Sequence, residues 1–322
     1  MTTASHNKEK YRIHCATEDT ICIFAQDWWL DTTCGADNWD VSIVESNNKI
    51  IAALPYQIKK HKNGITIGQP QLTQNLGPWL AQDDAKYTNQ LSNQKKYMTA
   101  LIDALPPYKT FAQNFNPKIT NWLPFYWMGF KQQTNYTYRI EDLTNTDALW
   151  DNIRSNIKRA IRKAEKNSIT INQTADLEDF ITLIEKTFNR QGKSLPYPKE
   201  LVRNIFAETQ NRNASQLFIA QDTDGNHHAG ALIIWDNQTA YYLIGGGDPD
   251  LRNSGAASLI LWEAIKFSAS VTQSFDFEGS MIDPIERFFR SFGATQTPYF
   301  NITKNNCRKK LIKDFIKNFK NL

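Results

Sequence analysis

The stretch from Tyr241 to Ser268, YYLIGGGDPDLRNSGAASLILWEAIKFS, constrains the fold of this chain more than any other part. It begins with a short apolar run that is typical of a strand, passes through three consecutive glycines and a turn, and continues as an amphipathic helix. Backbone N–H groups without intrahelical partners point outward at such a helix start, and the helix dipole adds about half a positive charge. The stretch therefore predicts an anion-binding corner between a strand and a helix.

Small residues at this helix start would let a phosphate approach the backbone closely, and the arginine that precedes them adds charge. An ordinary glycine-rich turn is the alternative interpretation. We predict that a phosphate-bearing donor binds at Arg252, Asn253, Ser254, Gly255, Ala256 and Ala257.

The order of predicted elements occurs twice along the 322 residues. Each half has a hairpin, then an aromatic strand, then a phenylalanine four residues before a glycine, then a closing strand. The last of these features is Phe125-x-x-x-Gly129 in the first half and Phe289-x-x-x-Gly293 in the second. The repeated order predicts two copies of one mixed α/β unit, against the alternative of chance similarity between two α/β units.

The join between the copies is predicted near Ile140 to Thr146. We therefore expect one domain over residues 1–143, a second over 144–304, and a C-terminal amphipathic helix over 305–322. The lysines of that last helix favour a solvated face on a docking helix, with contact to a membrane or nucleic acid as the alternative.

The segment Asp147–Lys166 follows the join, and its apolar spacing predicts one continuous helix. Six basic residues stand beside the apolar stripe, which is unusual for one helix. They would hold a diphosphate or the acceptor end of an RNA, with a simply solvated face as the alternative. The candidate substrate contacts are Arg159, Arg162, Lys163 and Lys166, together with Arg190 in a later loop.

Composition limits the classes of function. The formal charge of +4 does not demand a strongly polyanionic partner, and no DNA-binding motif is present. The N-terminus lacks the pattern of a signal peptide, and no apolar run is long enough to span a bilayer. The four cysteines show no CxxC spacing, so we expect no metal site and a cytoplasmic protein.

The run Arg252-x-x-Gly255-x-Ala257 resembles the acyl-CoA-binding motif Arg/Gln-x-x-Gly-x-Gly/Ala of the GNAT acyltransferases. Together with the duplication, the basic run IKRAIRKAEK, FDFEGSM and FFRSFGA, it makes the chain similar to the FemAB-like branch of the GNAT superfamily, from about Trp39 to Ile302. The resemblance implies a mixed α/β (α+β) protein with two tandem GNAT-like domains, each a twisted mixed sheet flanked by helices.

Members of that branch are transferases, and the founding ones pass amino acids from aminoacyl-tRNA to peptidoglycan precursors. The resemblance implies transfer of an acyl group from an activated donor, most simply acyl-CoA, to an amine or hydroxyl of a cell-envelope or glycan precursor. The acceptor would be a small molecule or a glycan- or lipid-linked one. An aminoacyl-tRNA donor and a non-catalytic binding module are the alternatives, and the oligomeric state is left open.

The GNAT arrangement implies that the strand Tyr241–Gly247 separates from its neighbour Gln273–Glu278, and that the donor lies in the gap. Backbone N–H groups at Ile244 and Gly245 would then polarise the acyl carbonyl. Acyl-CoA acyltransferases usually place a tyrosine acid where this chain has Phe289. Tyr242 is therefore a candidate acid, with strand packing as the alternative.

Side chains alternate along Phe275-Asp276-Phe277-Glu278, so the two carboxylates would share one face at the mouth of the gap. Asp276 and Glu278 are candidates for a general base or for binding an ammonium group. Alternatively, they form structural ion pairs with arginines such as Arg287, Arg290 or Arg252.

Overall fold

The computed structural model describes residues 5–174, 176–279 and 281–306. These residues form two compact units. The first contains the described residues up to Asn135 and from Pro298 onward, and the second contains Tyr136–Thr297. Within the described ranges, no helix combines the length and the apolar sequence that a bilayer span requires.

The first unit is a mainly antiparallel sheet with helices packed against it. Asn47 and Asn48 turn its first hairpin with positive φ angles of 51° and 61°, which asparagine tolerates well. Its sheet has the order β1-β2-β3-β5-β12, with β4 paired to β2. Its elements are α1 (His6–Cys15), a 3₁₀ turn (Ile23–Ala25), α2 (Asp27–Cys34), β1 (Trp39–Ser46), β2 (Lys49–His61), β3 (Gly64–Gly68), β4 (Trp79–Leu80), α3 (Tyr87–Asp103), β5 (Thr110–Asn114), α4 (Leu123–Trp127), the start of β6 (Lys131–Ile140) and most of β12 (Thr295–Asn305).

The second unit is a mixed sheet with the order β6-β11-β10-β9-β8-β7. β10 and β11 are parallel, and the other neighbours are antiparallel. Its elements after β6 are α5 (Thr146–Asn152), α6 (Ser155–Lys166), β7 (Thr170–Asn172), α7 (Leu177–Asn189), α8 (Lys199–Gln210), β8 (Ser215–Gln221), β9 (His227–Trp235), β10 (Thr239–Gly247), a 3₁₀ turn (Arg252–Ser254), α9 (Ala256–Ser268), β11 (Ser274–Asp276) and α10 (Asp283–Arg290).

The helix α9 is the centre of the second core because most of its residues are apolar and buried. Leu259, Leu261 and Ile265 are each at most 4% exposed, and they join β8, β9 and β10 in one hydrophobic cluster. Burial on this scale contributes about 1.5–3 kcal/mol for each large apolar side chain. The packing therefore holds the start of α9 in a defined place beside β10.

The predicted duplication is confirmed at the level of fold. In each unit a short helix, α4 or α10, leads through a glycine with positive φ into a long strand. Gly129 has φ +79° and Gly293 has φ +83°, and the matched phenylalanines Phe125 and Phe289 are both buried. The chain is therefore a mixed α/β protein with two tandem units of one plan.

The observed division differs from the predicted boundaries at 143/144 and 304/305. Asn301–Asn305 of β12 pair with β5 in the first unit, although the sequence placed residues 301–304 in the second domain and Asn305 in the C-terminal helix. Arg139 and Ile140 of β6 pair with β11 in the second unit. Each of these two strands serves both units, which a linear division of the sequence cannot express. Asn305, where the predicted C-terminal helix begins, is the last residue of β12, and the part of that predicted helix from residue 307 onward lies outside the described residues.

The prediction of one continuous helix over Asp147–Lys166 is wrong, because the chain forms α5 and α6 with a break at Ile153 and Arg154. Both residues have extended backbone angles, and the N–H of Arg154 donates to the carbonyl oxygen of Ser291 at 2.9 Å. The apolar stripe nevertheless packs against one core on both sides of the break, with Leu149 half-buried before it and Ile157 buried after it. A hydrogen bond to a residue far along the chain therefore replaces a helical one, and the spacing of apolar residues carries no trace of it.

Candidate functional site

The pairing of β10 with β11 ends early, although β10 itself continues. The two strands pair from Thr239 to Tyr241 on β10 and from Ser274 to Asp276 on β11. β10 then continues to Gly247, still paired with β9, and its register shifts between Tyr242 and Ile244. Ile244 and Gly245 therefore lie on the part of β10 beyond its pairing with β11, where the GNAT resemblance implied the donor site.

Helix α7 packs directly against the glycine end of β10. A methyl group built on Gly246 would lie 2.6 Å from the backbone nitrogen of Ile184. The N–H of Gly247 donates to Oγ1 of Thr187 at 2.8 Å. Glycine at these positions thus serves close helix-to-strand packing.

Helix α6 packs in the same way against the start of α9. Gly255 has φ +89°, and a methyl group there would overlap the carbonyl oxygen of Ala160. The ammonium group of Lys163 donates to the carbonyl oxygen of Asn253 at 2.6 Å. The sequence assigned Gly255 to close approach by a phosphate, whereas the structure shows that its open side faces α6.

The start of α9 nevertheless keeps groups that suit an anion. Ser254 Oγ accepts the N–H of Ala256 at 3.3 Å, and Ala256 is buried. The N–H of the exposed Ala257 has no hydrogen-bond partner among the described residues, and Arg252 and Asn253 are exposed beside it.

The basic side of α6 borders this helix start. Lys163 contacts it directly, and the neighbouring cations of α6 are exposed. The structure therefore joins two features that the sequence analysis treated separately. The members of this basic group are Arg159, Arg162, Lys163 and Lys166. Arg190 is separate from them, because it caps the C-terminal end of α7.

Tyr242 is the first residue of β10 beyond the paired segment. Its ring packs edge-on against Phe289 at 5.8 Å between centroids, and its hydroxyl lies against Gly245. Burial raises the pKa of Tyr242 to about 12, and the nearby Tyr197 phenol adds to this increase. The phenol is therefore protonated at neutral pH, and its hydroxyl donates to no other described residue. It is available as a hydrogen-bond donor beside the ring that occupies the usual tyrosine position.

Tyr197 is a site residue that the sequence analysis missed. It follows α7 in the loop before α8 and lines a cavity of about 340 Å³ with Glu185, Asn189 and Leu195. Burial raises its pKa to about 12. Its position between two prolines, Pro196 and Pro198, was the available clue, because flanking prolines restrict the backbone that presents the ring.

Asp276 does not lie at an open mouth. Its side chain is 2% exposed and accepts from Thr137, from the Arg139 guanidinium at 3.0 Å and from the N–H of Glu278 at 2.8 Å. Burial raises the pKa of Asp276, while Arg139 opposes this increase. Arg139 also binds Glu141 at 2.8 Å. An ion pair therefore exists, but its partner is Arg139.

The arginines that the sequence suggested as partners bind elsewhere. Arg287 pairs with Asp283, and Arg290 pairs with Glu286. The missed partner, Arg139, stands on the neighbouring strand β6 at 137 positions from Asp276.

Glu278 lies just beyond β11 and has a positive φ of 58°, so strand alternation ends before it. The two phenylalanines do share one side as predicted, because the rings of Phe275 and Phe277 lie 4.9 Å apart in the core. Burial raises the pKa of Glu278 well above its ordinary value, and the charge of Asp276 raises it further. Glu278 therefore retains its proton to a higher pH than an ordinary glutamate, which suits a group that takes part in proton transfer.

Three or more histidine, cysteine, aspartate or glutamate side chains do not converge into a metal-binding group anywhere in the described ranges.

Comparison with known proteins identifies the second unit first. Residues 151–280 match the family model of the acetyltransferase (GNAT) domain. The sequence matches no curated protein. The GNAT domain match therefore lies within the second unit and includes β10 and the start of α9.

Solved structures extend the similarity to the whole chain. FemX has 13% sequence identity and a TM-score of 0.65, covering 91% of this chain and 95% of its own. L-PGS from Bacillus licheniformis has 10% identity, a TM-score of 0.55 and 98% coverage of both chains. A tandem GNAT protein from the clavulanic acid biosynthesis pathway has 9% identity and a TM-score of 0.52, covering 92% and 93%. The chain therefore shares its fold with FemX and with a tandem GNAT protein, and its residues 151–280 match the GNAT domain family.

Proposed function

We propose that the protein is an acyltransferase that moves an acyl group from an activated donor to an amine or hydroxyl of a cell-envelope or glycan precursor. One observation carries this proposal: β10 leaves β11 after Tyr241, beside the start of α9. An extended donor arm would bind between the two strands at this place. The match of residues 151–280 to a GNAT acetyltransferase domain supports the same conclusion.

The donor that fits most simply is acyl-CoA, whose phosphates would lie at Arg252 to Ala257. The exposed N–H of Ala257, the positive end of the α9 dipole and the Arg252 side chain favour an anion there. The cations of α6 border the same place, with Lys163 in contact with Asn253. Bound in this way, the donor would supply an activated acyl carbonyl inside the gap.

The side chains around the gap have distinct parts in this proposal. The protonated phenol of Tyr242 would donate a hydrogen bond to the reacting carbonyl or to the leaving group. Glu278 would accept the proton that the attacking amine or hydroxyl loses, because its raised pKa makes its carboxylate a stronger base than an ordinary glutamate. The backbone N–H groups of Ile244 and Gly245 would help to polarise the carbonyl. Asp276 would hold Arg139 and the Glu278 backbone in place.

The cavity beside Tyr197 would receive the acceptor. It lies between α7 and the loop that leads into α8, and Tyr197 is close enough to Tyr242 to raise the pKa of the Tyr242 phenol. Polar groups of Asn189 and Ser194 line the cavity with the side chain of Leu195. This mixture suits an acceptor with both polar and apolar parts.

A second candidate donor is aminoacyl-tRNA. The observation that favours it is the row of exposed cations along α6, which extends beyond what a single diphosphate would contact. Phosphates along an RNA strand would use such a row, and their binding would weaken strongly as salt increases. The fold similarity to FemX is consistent with this candidate.

Binding measurements on Arg252→Glu and Arg162→Glu separate the two donors. For acyl-CoA, we expect CoA thioesters to raise the melting temperature, and Arg252→Glu to remove most of this stabilisation. For aminoacyl-tRNA, we expect salt-sensitive RNA binding that Arg162→Glu weakens. Arg212→Glu is the matched control, because Arg212 lies at the end of α8 and pairs with Glu208. Failure of both donors to bind would contradict the proposal.

Turnover measurements separate an enzyme from a binding module. Glu278→Gln should abolish acyl transfer and leave donor binding within about twofold of the parent, because the change removes a charge but keeps the shape. A Glu278→Gln variant that still performs the protein's role in the cell would favour a non-catalytic binding module.

A further inference from the structure

Three large apolar side chains are exposed together on the short helix α4 of the first unit. Leu123, Tyr126 and Trp127 are 48%, 58% and 56% exposed. They make up three of the five residues of this helix. Its other side is fixed in the core by Pro124 and Phe125. Soluble proteins seldom leave a contiguous cluster of this kind facing water without a binding purpose.

The neighbouring helix α3 extends this surface. Asn121, just before α4, donates to Gln94 of α3 at 2.9 Å, which places the two helices side by side. The ammonium group of Lys95 lies 4.8 Å from the centre of the Trp127 ring. Leu91, one turn earlier on α3, is 36% exposed. We define the aromatic patch as Leu91, Lys95, Leu123, Tyr126 and Trp127.

Positive charge is in excess in the sequence around the aromatic patch, because residues 83–131 contain six lysines and three aspartates, one of which, Asp83, accepts from Asn93 of α3. Residues 104–140 contain no aspartate or glutamate, and α3 contains one acid, Asp103, at its end. The lysines in these segments are Lys95, Lys96, Lys109, Lys118 and Lys131, whereas Arg139 is buried in its ion pair with Asp276 in the second unit.

The C-terminal strand brings more positive charge to the same side of the unit. Lys304 of β12 donates from its ammonium group to the carbonyl oxygen of Met128, the residue that follows α4. The sequence after Asn306 contains six basic residues and one acid. These seven residues are Arg308, Lys309, Lys310, Lys313, Lys317, Lys320 and Asp314.

We propose that the aromatic patch docks on the surface of an anionic phospholipid bilayer. Tryptophan and tyrosine favour the boundary between headgroups and acyl chains, where an apolar ring is buried and its polar atom stays hydrated. The surrounding lysines would contact the lipid phosphates, each adding to the attraction. A second copy of the chain fits less well, because a symmetric contact would bring lysines against lysines.

Flotation of the full chain with vesicles tests this proposal. We expect binding to vesicles of phosphatidylcholine mixed with phosphatidylglycerol, weaker binding to phosphatidylcholine alone, and weaker binding at high salt. The double variant Tyr126→Ala/Trp127→Ala should bind at least about tenfold more weakly, because two aromatic rings no longer enter the interface. Lys95→Glu, which keeps the rings, should also weaken binding to the anionic vesicles.

The matched control is Ile13→Ala, which removes an apolar side chain that is 71% exposed on α1 and should leave binding unchanged. Since the replaced side chains are exposed, all variants should melt with the parent. Vesicle binding that is unaffected by the double variant would overturn the proposal and leave the basic C-terminal sequence as the lipid contact. Self-association without vesicle binding, abolished by the double variant, would overturn it in favour of a dimer. Neither result depends on acyl transfer, so the proposed function is tested independently.

Discussion

Replacing Gly255 by alanine should destabilise the second unit by about 2–5 kcal/mol. The backbone φ of +89° alone costs an alanine about 1–2 kcal/mol relative to glycine. The added methyl group would overlap the carbonyl oxygen of Ala160 and lie 2.9 Å from its carbonyl carbon. Because these are backbone atoms of α6, the helix must shift, which costs about 1–3 kcal/mol more.

Gly225→Ala is the matched control for this substitution. Gly225 lies in the same unit with φ +82°, but a methyl group there meets no atom within 4 Å. It should therefore cost about 1–2 kcal/mol, from the backbone alone. Native-state hydrogen exchange of peptides from α6 and α9 measures the local free energy of opening in both variants. Equal losses in the two variants, or a Gly255→Ala protein of parental stability that no longer binds its donor, would refute the assignment of Gly255 to helix packing.

Three further substitutions test the residues around the gap. Glu278→Gln should raise the melting temperature at about pH 8 but not at about pH 4. The pKa of Glu278 in the folded protein lies above its unfolded value of about 4.3, so the parent loses stability as pH rises through the folded pKa and the variant does not. A variant that is less stable than the parent at about pH 8 would contradict this sign. Asp276→Asn should cost about 3–5 kcal/mol in urea unfolding, because it leaves the buried Arg139 guanidinium poorly compensated; parental stability would show that the ion pair is dispensable. Tyr242→Phe should keep the ring against Phe289 and stability within about 0.5 kcal/mol, while kcat falls about 100-fold; parental kcat would exclude the phenol from the reaction.

The sequence was sufficient to predict the order of elements around the site. The apolar run, the three glycines and the following amphipathic pattern predicted β10 and α9, because local alternation and glycine positions determine where a strand ends and a helix begins. The parting of β10 from β11 was predicted from family resemblance, and the structure confirms it.

Contacts between distant residues could not be predicted in this way. Arg139 meets Asp276 because β6 lies beside β11, and no local pattern indicates which strands are neighbours. The close approach of α6 to Gly255 could not be predicted either. Glycine permits close approach of a phosphate and of a helix equally, so the residue type does not tell which one is present. Tyr197 was missed because it reaches the site from a loop, where periodicity gives no direction.

The division of β6 and β12 between the two units is a further feature that the sequence could not predict. β6 and β12 each contribute residues to both units, so the boundary of each unit depends on pairing that is decided across the sheet. A prediction that cuts the chain once between two copies assigns these strands wholly to one side.

The most direct test of the central claim is hydrogen exchange of the full chain with and without donor. A donor bound where β10 leaves β11 should slow exchange in peptides covering Ile244 to Ala257, and it should leave the hairpin turn around Gly225 unchanged. Acetyl-CoA and aminoacyl-tRNA are the two ligands to add. Protection of this segment by either ligand is the predicted result, and binding of a donor that leaves the segment unprotected would contradict the account.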